Sequence, residues 1–225
     1  IAYHEAGHAL VGELLENTDP VHKVTILPRG MSLGSTWQLP TSDKYLVSKQ
    51  QLLDQITVLL GGRVAEELAF GEVTTGASSD LERVTTIARA MVCEYGMSER
   101  LGTLAIGRRH SNPFLGRDYM EDRNYSEEVA KLIDDEVRSI VETSRNRAYD
   151  LLTANRDKLG RVVEALLEKE TLEREEFLKI MEGTTDVPNT EAKPPDGPSP
   201  KTTEKDVESR EEIIPRKLKP GTAET

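Results

Sequence analysis

Residues 4–8 read His-Glu-Ala-Gly-His, and no other stretch constrains this chain as strongly. His4 and His8 stand four apart, so on an α-helix they lie one turn above each other on the same face. Two imidazoles at that spacing can grip a single zinc ion. Glu5, next to the first histidine, can reach a water bound to the metal. A catalytic zinc shell takes three protein ligands plus a water. The metal lowers the water's pKa to about 7 and polarises a carbonyl, while the glutamate takes the water's proton. Hydrolysis of peptide bonds is the reaction that H-E-x-x-H most often supports. Leu10, Val11, Leu14 and Leu15 continue an apolar face of helical period, which predicts a helix over residues 1 to about 16. Two histidines on a helix face can also be ordinary, partly buried side chains. The glutamate and the helical context favour the metal.

Two histidines do not complete the shell, so a third side chain must come from elsewhere. His22 lies in a strand candidate and His110 in an irregular stretch. Glu66 lies in a later helix, from which many H-E-x-x-H enzymes recruit a glutamate. Asp80 follows the glycine-containing loop Thr74-Thr-Gly-Ala-Ser-Ser and opens a helix, where an aspartate most often serves the helix end. On the residues alone these alternatives stay open.

The remaining pattern predicts a mainly α-helical fold with a small sheet. Val21 to Leu27 and Gly34 to Leu39 are strand candidates, each followed by a proline, with Gly30 in the turn between them. Together they give a small β-hairpin or three-stranded sheet near residues 22–39. A strand edge beside the zinc can hold an extended peptide by main-chain hydrogen bonds, which makes Val24, Thr25 and Ile26 candidates for substrate binding. A hairpin that merely packs is the equal alternative. A helix is predicted from Ser48 to Ala69, with a Ser48/Gln51 capping box. Gly61-Gly62 inside it marks the close approach of another backbone, since each glycine costs about 1 kcal/mol against alanine there. A third helix is expected to be capped by Ser79, with Glu82 as the reciprocal partner, and to end at Gly96. Residues 98–123 read as irregular. A long helix over about 126–153 follows, then two shorter ones over 155–169 and 172–182, the last capped by Thr171.

Composition sets the outer bounds. Residues 184–225 hold seven of the eleven prolines and no aromatic residue, so they predict a disordered tail after a domain spanning 1–182. The net charge of -11 argues against nucleic acid as a partner. The single cysteine, Cys93, lies in an apolar helical run and reads as a buried structural thiol. No signal-peptide pattern is present, and no run approaches the roughly 18 apolar residues needed to cross a bilayer. The chain opens without Met and without a helix cap, which predicts a piece of a longer protein.

Several stretches together resemble the peptidase half of FtsH-type proteases, the AAA metalloprotease family. They are HEAGHALVG at 4–12, HKVTILPRG at 22–30, GGRVAEELAFG at 61–71, TTGASSDLERVT at 74–85 and ARAMVCEYGMSERLG at 88–102, extended by FLGR at 114–117 and EKETL at 168–172. The likeness covers about residues 1–182. The resemblance implies a largely helical zinc endopeptidase domain. In it, His4, His8 and Asp80 would ligate the zinc and Glu5 would be the catalytic glutamate. Glu66 then becomes a residue that orients a ligand by hydrogen bond. The resemblance also implies a membrane anchor and an ATPase module, neither of which is in this chain, and a homo-hexamer that degrades unfolded and membrane polypeptides. The peptidase domain would stand on the cytoplasmic (or matrix- or stroma-like) side. Gly61-Gly62 and the long helices are candidates for the ring contacts. No G-x-x-x-x-G-K-[S/T] is present, so ATP would bind only the module outside this chain. The alternative function is an inactive family member kept for assembly or chaperone work. Loss of Glu5 or of a histidine would favour it, and all three are present.

Overall fold

The computed structural model describes residues 1–28, 34–39, 46–109, 121–122 and 125–183. Packing divides the chain into two units, Ile1–Asp186 and Val187–Thr225, and all of the second lies outside the described residues. So do the predicted disordered tail, Gly30, His110 and the FLGR stretch.

The first helix, α1 (Ala2–Leu14), is buried along most of its length, with Ala6, Ala9, Leu10 and Val11 fully enclosed. Strand β1 (Val21–Thr25) pairs antiparallel with β2 (Ser35–Gln38). Helix α2 (Lys49–Phe70) starts at the Ser48/Gln51 capping box and stops at Gly71, whose φ of 69° is left-handed. A 3-10 turn, Thr75–Ala77, leads directly into α3 (Ser78–Cys93). Two short strands, β3 (Arg108–Arg109) and β4 (Glu121–Asp122), pair with each other. The long α4 (Glu127–Ala154) is capped by Ser126 and followed by α5 (Arg156–Lys169), β5 (Thr171–Glu173) and α6 (Arg174–Glu182).

Two caps differ from the sequence expectation. Ser79 lies inside α3, because the 3-10 turn capped by Thr74 already presents that helix start. Thr171 lies in β5, not at a helix start. Its hydroxyl meets that of Thr25 at 2.8 Å, across the β1–β5 pairing.

The sheet runs β2-β1-β5, so β1 is central and its main chain is engaged on both sides. Just beyond the strand, Ile26 donates its N–H to the Glu170 carbonyl at 3.0 Å. Val24, Thr25 and Ile26 therefore offer no free edge, which removes the ground for their candidacy in substrate binding and leaves the alternative of a strand that packs. Within this sheet β2 and β5 are each paired on one side only among the described residues, and β2 is the one that packs beside α1.

α1 packs into the angle between α2, α5 and the sheet. One core cluster joins Leu10, Val24, Leu152, Leu166, Leu172 and Phe177. A second joins Leu52, Ile56 and Leu60 of α2 to Val84, Ala88 and Met91 of α3, with the apolar stripe of α4 against it. Gly61 is buried against α1: a Cβ there would lie 2.8 Å from the Gly7 carbonyl oxygen. The Gly61-Gly62 pair is thus an internal contact and supplies no ring surface. Cys93 is buried, as its apolar context implies. No helix among the described residues is long and apolar enough to cross a membrane.

Candidate metal centre and cleft

α1 carries His4 and His8 one turn apart, with ring centroids 4.6 Å apart. The first turn of α3 brings Asp80 against them. Asp80 Oδ2 lies 3.2 Å from His4 Nε2 and 3.3 Å from His8 Nε2, and the two Nε2 atoms are 3.0 Å apart. Among the described residues these three form the His/Cys/Asp/Glu group whose donor atoms converge closely enough for a metal. His22 is exposed where β1 bulges, unmatched in the β2 register, and takes no part.

The outer nitrogens determine what the inner ones can do. His8 Nδ1 lies 2.8 Å from the Val58 carbonyl oxygen, which can only accept. Nδ1 therefore carries the proton, and Nε2 of the neutral ring presents a lone pair. His4 Nδ1 lies 3.1 Å from Glu66 Oε1, with the same consequence. Two lone pairs and a carboxylate oxygen then face one another at hydrogen-bond distance, an arrangement that calls for a cation between them. Four ligands placed tetrahedrally about 2.0–2.1 Å from a zinc ion would stand about 3.3 Å from each other. The observed separations of 3.0, 3.2 and 3.3 Å approach that edge length. The donor set therefore fits zinc.

The same field appears in the protonation of the group. Burial pulls the His8 pKa down, but the Asp80 carboxylate and the Val58 carbonyl outweigh it and leave it raised. Burial alone would push Asp80 up. Its contacts with His4 and His8 win and hold it well below the usual carboxylate range.

Glu66 is buried on α2 and accepts from the Thr74 hydroxyl at 3.1 Å through its second oxygen. One carboxylate thus ties His4 to the loop that presents Asp80. Gly62 leaves room for the histidines: a Cβ there would lie 2.5 Å from His8 Nε2 and 2.8 Å from His4 Nδ1. Glu5 points away from the core of α1 toward β2. Thr36 Oγ1 lies 2.8 Å from its Oε2, and a Cβ on Gly34 would meet its Oε1 at 2.7 Å.

These groups open on a cleft of about 1190 Å³, lined by His4, Glu5, His8, Asp80 and the β2 residues Thr36 and Trp37, among others. That exceeds the ~300–1,000 Å³ usual for small-molecule sites. The structure thus brings together His4, His8, Glu5, Asp80 and Glu66. Sequence reasoning missed Val58, Thr36 and Thr74, which act through a carbonyl or a lone hydroxyl and carry no spacing signal. The Gly61-Gly62 pair did signal a close approach, though not that Gly62 faces the histidines.

A helix-borne H-E-x-x-H, met by a carboxylate from another helix beside an open cleft, defines a metallopeptidase class of site. Comparison with known proteins agrees. Residues 1–180 match peptidase family M41. Over 182 residues the chain is 58% identical to the ATP-dependent zinc metalloprotease FtsH of Pseudothermotoga lettingae, covering 80% of this chain and 29% of that protein. Against the FtsH of Thermotoga maritima identity is 54% over 182 residues, 80% of this chain and 30% of that one. With FtsH 1 of Conexibacter woesei it is 47% over 226 residues, 99% of this chain and 34% of the relative, so that match runs on into the tail. The chain belongs to peptidase family M41. It spans about a third of the length of these curated relatives.

Proposed function

We propose that this chain is the zinc-dependent endopeptidase domain, residues 1–182, of an ATP-dependent protease. The carrying observation is the convergence of His4 Nε2, His8 Nε2 and Asp80 Oδ2, with both outer histidine nitrogens already bonded. In this reading those three atoms hold the zinc. When bound, zinc supplies Lewis-acid polarisation of a peptide carbonyl and makes water more acidic. Glu5 takes the proton from the attacking water and passes it to the departing amine. Glu66 fixes the His4 ring and its tautomer. β2 lies in the cleft wall and, among the described residues, is paired on one side only, so its main chain can receive an extended polypeptide as an added strand.

The relatives' names and the sequence resemblance support the rest of the reading. The longer protein carries an ATPase module and a membrane anchor outside this chain, works as a homo-hexamer, and feeds unfolded or membrane polypeptides to this domain from the cytoplasmic (or matrix- or stroma-like) side. Residues 183–225 form a tail that the cleft does not need.

The test is cleavage of casein and of a quenched peptide by the chain, before and after chelation and after zinc is restored. Activity that disappears with the metal and returns with zinc is expected. Glu5→Gln should retain the zinc and lose about 10²- to 10⁴-fold in rate. Zinc bound at full occupancy with no cleavage of either substrate would instead support the assembly-module reading.

A further inference from the structure

The hydroxyl that meets the Glu5 carboxylate comes from the sheet, not from the metal helix. Thr36 Oγ1 stands 2.8 Å from Glu5 Oε2 and 3.1 Å from the Glu5 carbonyl oxygen. A hydroxyl has one proton, and the charged carboxylate is the stronger and nearer acceptor. Gly34, two residues earlier, bounds the other carboxylate oxygen, and any Cβ there would displace it. Strand alternation explains the arrangement. Thr36 and Gln38 face α1, where a Cβ on Gly12 would meet Gln38 Nε2 at 2.6 Å, while Ser35 and Trp37 point the other way. The strand that holds the carboxylate is thus the one with an edge in the cleft wall.

We propose that Thr36 is a positioning residue for Glu5, so that β2 both receives the polypeptide main chain and fixes the carboxylate that accepts the water's proton. This rests on the reading of Glu5 as the base. A peptide added to β2 would stiffen that strand and, through the Thr36 hydroxyl, hold Glu5 in its working orientation. Substrate occupancy and base geometry are then coupled through one residue.

Thr36→Val keeps the branched shape and removes the donor; Thr36→Ser keeps the donor. Both are made in the full chain, alone and together with Glu5→Gln. Thr36→Val should lower kcat by about 10- to 100-fold, the scale of one hydrogen bond to a charged group. KM should stay within about twofold, as for an interaction felt after binding. Zinc affinity by chelator competition and the melting temperature should stay unchanged, and Thr36→Ser should restore most of the rate. On the Glu5→Gln background, Thr36→Val should cost almost nothing more. A crystal structure of metal-free Thr36→Val should show the Glu5 carboxylate swung off Gly34. A loss in KM alone, a full additional loss on the Glu5→Gln background, or an unmoved carboxylate would each overturn the proposal. If Glu5→Gln itself keeps its activity, the base reading falls. The carboxylate's position in the Thr36→Val crystal then still decides whether Thr36 holds it.

Discussion

Asp80 and Glu66 are both buried or half-buried carboxylates beside His4, and geometry separates them. Asp80 faces the Nε2 atoms of both histidines, whereas Glu66 meets only the outer nitrogen of one. Asp80→Ala should therefore strip zinc at moderate chelator concentration and abolish cleavage. Glu66→Ala should weaken zinc by about 10- to 100-fold, the usual scale for an outer hydrogen-bond partner. Isothermal titration of zinc into both variants checks the order; equal losses would mean that the two play the same part. Gly62 gives a sharper prediction. Alanine is the better helix former by about 1 kcal/mol and overpacking costs about 1–3 kcal/mol, so Gly62→Ala should lose at most about 2 kcal/mol and stay folded, its melting temperature falling by no more than about 8 °C. Its Cβ would nevertheless enter the space of both imidazoles. Zinc affinity should then fall by more than in Glu66→Ala, a dissociation of binding from stability that the same titration and a thermal melt reveal. The histidines and Glu5 were legible in the sequence because their chemistry resides in side chains at a fixed helical spacing. Asp80 and Glu66 appeared there as candidates with no geometric order, since a loop and a second helix join them to the motif. Thr36 and Val58 were not legible: one is a strand hydroxyl among many, the other a main-chain oxygen.

Elements carry the site by how they end and touch. α5 ends at Glu170, the one non-glycine residue with positive φ among the described residues, at 61°. That conformation lets the chain turn from helix to β5 within a residue, and the Glu170 carbonyl accepts from Ile26 N–H and from the Thr25 hydroxyl. The side chain is exposed, so Glu170→Gly should lose no buried contact. It should gain on the order of 1 kcal/mol by relieving the left-handed strain. A rise in melting temperature checks this; a fall would mean that the added freedom of the unfolded chain dominates. The sequence showed helix starts and lengths well because capping boxes and apolar stripes are local. It did not show that residues 171–173 form the third strand of the sheet. Three residues cannot display an alternation, and their strand character comes from pairing with β1 almost 150 positions earlier. The same non-local order made β1 central and left the cleft edge to β2, which no pattern inside Val21–Thr25 could reveal.

On the scale of the molecule, a buried charge joins the helices that frame the site. Asp54 on α2 is fully enclosed and accepts from Asn17 beyond α1, from Gln50 one turn earlier and from Arg147 on α4. Burial would raise its pKa. The three donors, with the positive charge of Arg147, outweigh burial and hold it below its ordinary value. A carboxylate whose pKa is lower in the folded state binds fewer protons there than in the unfolded chain. Its contribution to stability is complete above the unfolded pKa of about 3.9 and is lost as pH falls through the folded value. Chain stability should therefore decline below about pH 4, beyond what exposed carboxylates cause. Asp54→Asn should be less stable at neutral pH, because Arg147 loses a charged partner, yet its stability should fall less steeply in acid. Urea unfolding at pH 7, 4 and 3 measures both slopes. Parallel curves for the two proteins would show that the Asp54 carboxylate gives the fold no pH dependence, and that the acid sensitivity arises elsewhere.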